Sequence, residues 1–219
     1  MSGFSDYIKL IDQLAGGFAI TLAIFGLTLL FAIPLAMPLA LGRMSKNVWI
    51  SKPIEILQLI IRGTPLMLQI MLIYFGPYFL FEIPLTGYRF PATIIAFSIN
   101  YAAYFSEIYR GGLESIPSGQ HEAAQVLGFS RSQTFLRIIL PQMIKRILPP
   151  MSNEVITLIK DTALANVIAI MEMFRVAHGA ATTRTSIIPY LVAGGFYLLA
   201  TFCITRFFNY AEKKLSYYE

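Results

Sequence analysis

Long stretches of this chain carry no charge at all, and their lengths set the architecture. Residues 13–42, 63–81, 90–106 and 185–205 contain no Asp, Glu, Lys or Arg. Each is about as long as, or longer than, the roughly 20 apolar residues that carry a helix across a ~30 Å hydrocarbon core. A fifth apolar segment, residues 147–171, is interrupted by Glu154, Lys160 and Asp161. The pattern predicts an all-α integral membrane protein with five transmembrane helices over residues 14–42, 53–81, 90–113, 147–171 and 186–209. No internal repeat, low-complexity tract or linker divides it, so residues 1–219 read as one membrane domain. Ahead of the first span, Phe4, Tyr7, Ile8 and Ile11 recur at helical spacing and predict a short amphipathic helix on the membrane surface. Pro34 and Pro38 fall near the far end of that span, where they bend a helix or serve as a gating hinge. Residues 81–90 and 174–186 read as short loops on the side of the amino terminus.

Within the fourth span the polar positions keep their own period. Asn153, Glu154, Thr157, Lys160 and Asp161 recur at i, i+1, i+4, i+7 and i+8, one face of a helix. A charge facing lipid at the bilayer centre costs about 2.5–3.5 kcal/mol, so this face must meet protein or water. In the third span Asn100, Tyr104 and Glu107 fall at i, i+4 and i+7. Arg62 in the second span lies about 15 Å along the helix from Lys52 and at a depth similar to Glu154. Arg62, Glu107 and Glu154 therefore read either as ion pairs that hold the bundle or as a gate. Asn100, Tyr104, Asn153, Thr157, Lys160 and Asp161 are the candidates for lining a translocation route. An amino acid crossing as a zwitterion needs an acceptor for its ammonium, a role that suits Asp161, and donors for its carboxylate, which Asn100 and Thr157 supply. Lys160 fits either the carboxylate or a neighbouring buried acid.

Charge changes the picture by fixing orientation. Only 13% of the 219 residues are charged, against about 25% in soluble domains. The formal net charge is +5, which by itself points equally to nucleic acid. The basic residues, however, concentrate on alternate loops: Arg43, Lys46, Lys52, Arg110, Arg131, Arg137, Lys145, Arg146, Arg206, Lys213 and Lys214 share one side. Only Lys9, Arg89, Arg175 and Arg184 fall on the other. The positive-inside rule then puts the amino terminus outside and the carboxyl terminus inside. The first apolar run exceeds a signal-peptide core, and Asp6 and Asp12 spoil a positive n-region, so the segment is expected to stay in the mature protein. A lone Cys203 allows no internal disulfide and no multi-cysteine metal site. No phosphate-binding G-x-x-x-x-G-K-[ST] loop, H-E-x-x-H or G-x-S-x-G occurs, and the two histidines, His121 and His178, fall on opposite sides of the membrane. No metal site or catalytic constellation is expected.

One polar stretch breaks the oily pattern, "GQHEAAQVLGFSRSQTFLRIILPQ" at residues 119–142. Pro117 and Ser118 open a helix whose positive end suits Glu122. Ala123, Val126 and Leu127 give it a narrow apolar face, and Gly128 is placed to end it in the left-handed conformation. Ser130 and Gln133 match a capping box that restarts a helix. Pro141 is expected to interrupt that second helix. Local physics leaves two readings: a helix held off the membrane to fill a partner's groove, or a surface loop between spans.

The order Glu122-Ala123-Ala124, then Gly128, Ile138 and Leu140-Pro141 resembles the EAA motif of bacterial ABC-importer permeases. "IRGTPLMLQ" (residues 61–69), "SINYAAYFSEIYRGGLESIPSGQ" (98–120) and "IKDTALANVI" (159–168) are similar to the permeases of the polar-amino-acid branch, the type serving histidine, glutamine, arginine or cystine. Ala163 departs from it, since many relatives carry serine there. The resemblance spans nearly the whole chain and implies the type I ABC-importer permease fold. It implies that residues 118–141, with Gln120, Glu122, Ala123, Ala124 and Gly128, form a coupling segment seated in a separate ATPase subunit. The implied partners are an ATPase pair, a second permease subunit that is identical or homologous, an external substrate-binding protein, an amino-acid substrate and membrane lipid, with no nucleic acid. ATP and Mg would belong to the ATPase, with no cofactor in this chain, in a bacterial cytoplasmic membrane. A stand-alone secondary transporter or channel is the competing reading. It lacks a use for the coupling segment, and no inverted repeat with paired broken helices supports it.

Overall fold

The computed structural model describes residues 4–215, with side chains from Asp6 onward. The expected role of the Phe4 side chain lies outside the described residues. The first helix, α1 (Phe4–Arg43), runs unbroken from the amphipathic start through the apolar run, and continues through Pro34 and Pro38. The amphipathic turns are thus the beginning of α1 and not a separate surface helix. Leu10 and Leu14 are buried there against Met173, Ala177 and Ala193.

The expected second span is two helices, α2 (Val48–Gly63) and α3 (Leu66–Phe81), bent by 107°. Its cause is local. Pro65 disfavours helical backbone at the residue before it, and Thr64 is extended at φ −120°, ψ 147°. The break frees carbonyls that lipid cannot satisfy. Thr64 Oγ1 donates to Ile60 O at 2.8 Å, and Gln69 Nε2 donates to Ile61 O at 2.7 Å.

The expected third span coincides with α4 (Arg89–Glu114), which packs along α1 more extensively than any other helix pair among the described residues. Ala32, Ala36 and Ala40 on α1 and Ala92 and Ala96 on α4 are fully buried. Lipid tails are as apolar as side chains, so such small residues promote helix contact by letting backbones approach and gain dispersion energy.

After α5 (Gly119–Val126) the chain restarts at α6 (Arg131–Thr134), widens into a π turn (Phe135–Ile139) and enters α7 (Leu140–Asp161). Pro141 therefore does not interrupt the second helix. The wider turn, with Leu140 N–H donating to Phe135 O, accommodates it, and Gln142 Nε2 caps Ile138 O at 2.8 Å. At its other end α7 stops at Asp161 and tightens into a 3₁₀ helix (Thr162–Ile168) that ends at Ala169 in the left-handed conformation. The expected span over residues 147–171 is therefore only partly α-helical.

Residues 174–186, expected as a loop, are mostly helix, α8 (Met173–Arg184). Its cap is Glu172, fully buried, whose carboxylate accepts the Phe174 and Arg175 N–H groups at 2.7 and 2.8 Å. The last helix, α9 (Ile188–Leu215), packs on α7 and α8. By length and apolarity alone, Asp6–Arg43 and α9 suffice to cross a membrane, and the bent α2–α3 pair makes a third if it counts as one span.

Candidate functional site: a polar face on α4 and α7 and a helix standing off the bundle

Along α7 the buried side chains Met143, Ile147, Met151, Val155 and Leu158 make one face, and Asn153, Thr157 and Lys160 occupy the opposite, exposed one. Helical periodicity alone separates the two sets. Glu154 and Asp161 lie between the faces, partly buried, seven residues apart and so on one side of the helix. Thr157 Oγ1 turns back to donate to Asn153 O at 3.0 Å.

Where α4 meets the end of α7, the buried Tyr101 hydroxyl donates to Asp161 Oδ2 at 2.8 Å. One residue earlier, Asn100 is 4% exposed and its Nδ2 donates to Gln69 Oε1 at 3.0 Å. Gln69 is itself fixed by the α2–α3 break, so the bend orients the Asn100 amide. Closer to the other end of α4, the Arg62 guanidinium sits 5.4 Å from the centre of the Tyr104 ring, a cation–π contact. Arg62 Nη1 is also 3.9 Å from Glu107 Oε2. Arg110 pairs with Glu107 and donates to Glu114 at 2.6 Å. Similar depth puts Arg62 level with Glu154, but the ion pair it makes is with Glu107. Since Arg62 is 40% exposed and the distance is long, that pair adds little stability by itself.

The structure thus brings Arg62, Tyr104 and Glu107 together, while Asp161 is bonded by Tyr101 and Asn100 by Gln69, with no direct hydrogen bond between the two candidates. Three participants are not in the sequence pattern. Tyr101 is off the i, i+4, i+7 face of α4, Gln69 is hidden in an uncharged run, and Gln58 donates to Ser106 at 2.8 Å inside the bundle. For Tyr101 and Gln58 the missing information is how α2, α4 and α7 are rotated against one another, which no single-helix period contains. The Gln69 role was hinted at by Pro65, four residues before it. Chemically, the face offers a partly buried carboxylate with an aimed hydroxyl and an exposed ammonium, charges able to meet both ends of a zwitterion, with the Asn100 amide buried behind it. Among the described residues no group of three or more His, Cys, Asp or Glu can hold a metal ion.

The second candidate site is α5. Phe129 N–H donates to Ala124 O and Gly128 N–H to Gln125 O, both at 3.0 Å. This is the Schellman ending, and Gly128 supplies the required positive φ, +79°. The Ser130–Gln133 capping box closes in both directions at once, at 2.9 and 3.3 Å. Ala124 is buried against the chain, while Gln120, Glu122 and Ala123 are exposed. Val126 and Leu127 are 88% and 72% exposed. A helix closed at its carboxyl end by a Schellman turn, with the next helix capped directly after it, thus presents two large apolar side chains away from its own protein.

These features define a class: an all-helical integral membrane protein with a polar face on its bundle and a short helix bearing exposed apolar side chains at one end. The chain belongs to the family of binding-protein-dependent transport system inner membrane components, whose model matches residues 32–217. It is 37% identical over 207 residues to the L-cystine transport system permease protein TcyB of Bacillus subtilis (strain 168), covering 94% of this chain and 87% of that one. It is likewise 37% identical over 218 residues to the arginine transport system permease protein ArtQ of the same organism, covering 97% and 96%. Among solved structures it is similar to one described as an amino acid ABC transporter with histidines, at a TM-score of 0.84 and 30% identity, covering 98% of this chain and 99% of that one. The MetNI methionine ABC transporter, at a TM-score of 0.74 and 13% identity, shares the fold.

Proposed function

We propose that this chain is the membrane-spanning permease subunit of an ATP-driven, binding-protein-dependent amino-acid importer. The observation that carries the reading is α5, a capped helix whose Val126 and Leu127 face away from the chain, in a protein of this transport family. Two such subunits, identical or homologous, would enclose the route between their polar faces. An ATPase pair would seat the two coupling helices from the cytoplasm, and an external binding protein would deliver substrate. ATP and Mg belong to the ATPase in this scheme, and the chain itself uses no cofactor. The membrane is the bacterial cytoplasmic membrane, crossed five times by α1, the bent α2–α3 pair, α4, α7 with its 3₁₀ extension, and α9. At 1.5 Å per residue α4 and α7 are ~39 and ~33 Å long, enough to cross despite their polar residues. The amino terminus lies outside, and α5 and the carboxyl terminus lie inside.

In the route, Asp161, aimed by Tyr101, accepts the substrate ammonium, and Asn100, Asn153, Thr157 and Lys160 serve its carboxylate. Arg62, Tyr104, Glu107 and Glu154 form the gate nearer the cytoplasm. The test is uptake of labelled amino acids into proteoliposomes holding the permease, ATPase and binding protein, with each omitted in turn. Uptake should require all three and ATP. Uptake by the permease alone, driven by an ion gradient, would identify a secondary transporter instead.

A further inference from the structure

Behind α7, away from its polar face, an open groove of about 530 Å³ runs between α1, α7 and α9. Phe25 and Leu29 line it from α1, Ile144 and Val155 from α7, and Cys203 and Phe208 from α9; every other lining side chain is apolar too. At 3.6 residues per turn, the α7 positions in the groove centre about 180° from Asn153, Thr157 and Lys160. A second copy meeting this one across the polar face would leave the groove on the outside, towards lipid.

The groove has the length and the charge of a lipid site. From Ile144 to Val155 the helix rises about 16 Å, half of a ~30 Å hydrocarbon core, which is the depth of one leaflet. The end marked by Ile144 and Phe208 is where α9 reaches its last turn, with Lys213 and Lys214. Lys214 is exposed and lies seven residues past Phe207, another groove residue, so it follows on the same helix face about 10 Å further along. Cys203 marks the deep end of the groove on α9.

We propose that this groove binds an anionic phospholipid, with one acyl chain along α7 and the headgroup phosphate at Lys214. The lipid would fill the seam between α1, α7 and α9, bracing the rear of the helix that carries the polar face. Only the exclusion of a second copy rests on the transport reading; the lipid contact itself needs neither ATP nor substrate.

The experiment uses the purified complex in bilayers containing phosphatidylglycerol or phosphatidylcholine, each with the same photoreactive group at the end of an acyl chain. Labelled peptides are then mapped by mass spectrometry. Phosphatidylglycerol should label the segment around Cys203 about fivefold more than phosphatidylcholine, the preference expected from one basic residue near the surface. Lys214→Glu should remove the preference and leave phosphatidylcholine labelling unchanged, and Cys203→Trp should reduce labelling by both. Equal labelling by the two lipids, or a preference that survives Lys214→Glu, would overturn the proposal. So would an oxidant-induced Cys203–Cys203 crosslink between permeases, which would assign the groove to a second copy. Labelling that behaves as expected in a complex without uptake would leave this proposal standing while the transport reading fell.

Discussion

Asp161 sits at the junction of α7 and its 3₁₀ extension, with the Tyr101 hydroxyl 2.8 Å away. If the carboxylate receives substrate, the two residues separate in a specific way. Asp161→Asn should lower uptake at least tenfold with little change in thermal stability of the complex. Tyr101→Phe removes a hydrogen bond to a charged group, worth about 1.5–3 kcal/mol. It should therefore weaken substrate-stimulated ATP hydrolysis by about tenfold or more while leaving the acid in place. If both variants lose stability and uptake in proportion, the pair is structural glue between α4 and α7. The acid was legible in the sequence because charge in an apolar span is rare and its helical period is visible. Its hydroxyl partner was not, because Tyr101 reaches it across two helices.

At the scale of elements, the sequence pattern located α4 within one residue at each end, and it located the turn at Gly128 because positive φ has a strong residue preference. It missed α8, whose cap is a glutamate in place of the usual Ser, Thr, Asp or Asn. The break at Thr64–Pro65 lay inside an uncharged run, so charge counting bridged it even though the proline was in plain view. Close helix contacts were also invisible, and two adjacent glycines of α1 make the point testable. A Cβ at Gly17 would lie 2.9 Å from Val176 Cγ2 and 3.1 Å from the Met173 Cα, whereas at Gly16 nothing lies within 4 Å. Gly17→Ala should force α1 off α8 and destabilise by about 1–3 kcal/mol. Gly16→Ala should stabilise by about 0.5–1 kcal/mol, since alanine loses less backbone freedom in a helix. Thermal unfolding of the two purified variants checks the opposite signs; shifts of the same sign would mean that α1 and α8 are not packed in this way.

For the whole molecule, orientation and drive are the claims that matter. In the proposed orientation α6 faces the cytoplasm, so in a Cys203→Ser background a thiol introduced at Ser132 should react with an impermeant reagent only after the membrane is opened. Reaction in intact cells would reverse the topology. The central claim is that α5 carries work from a separate ATPase into the bundle. Gly128 has open space around it but a φ of +79°, so Gly128→Val strains the turn by about 1–2 kcal/mol without a clash. The most direct measurement is the number of amino acids taken up per ATP hydrolysed, in the same proteoliposomes, for wild type and Gly128→Val. The account predicts an inserted, assembled variant that still hydrolyses ATP but whose uptake per ATP falls severalfold. An unchanged ratio, with normal assembly, would contradict it.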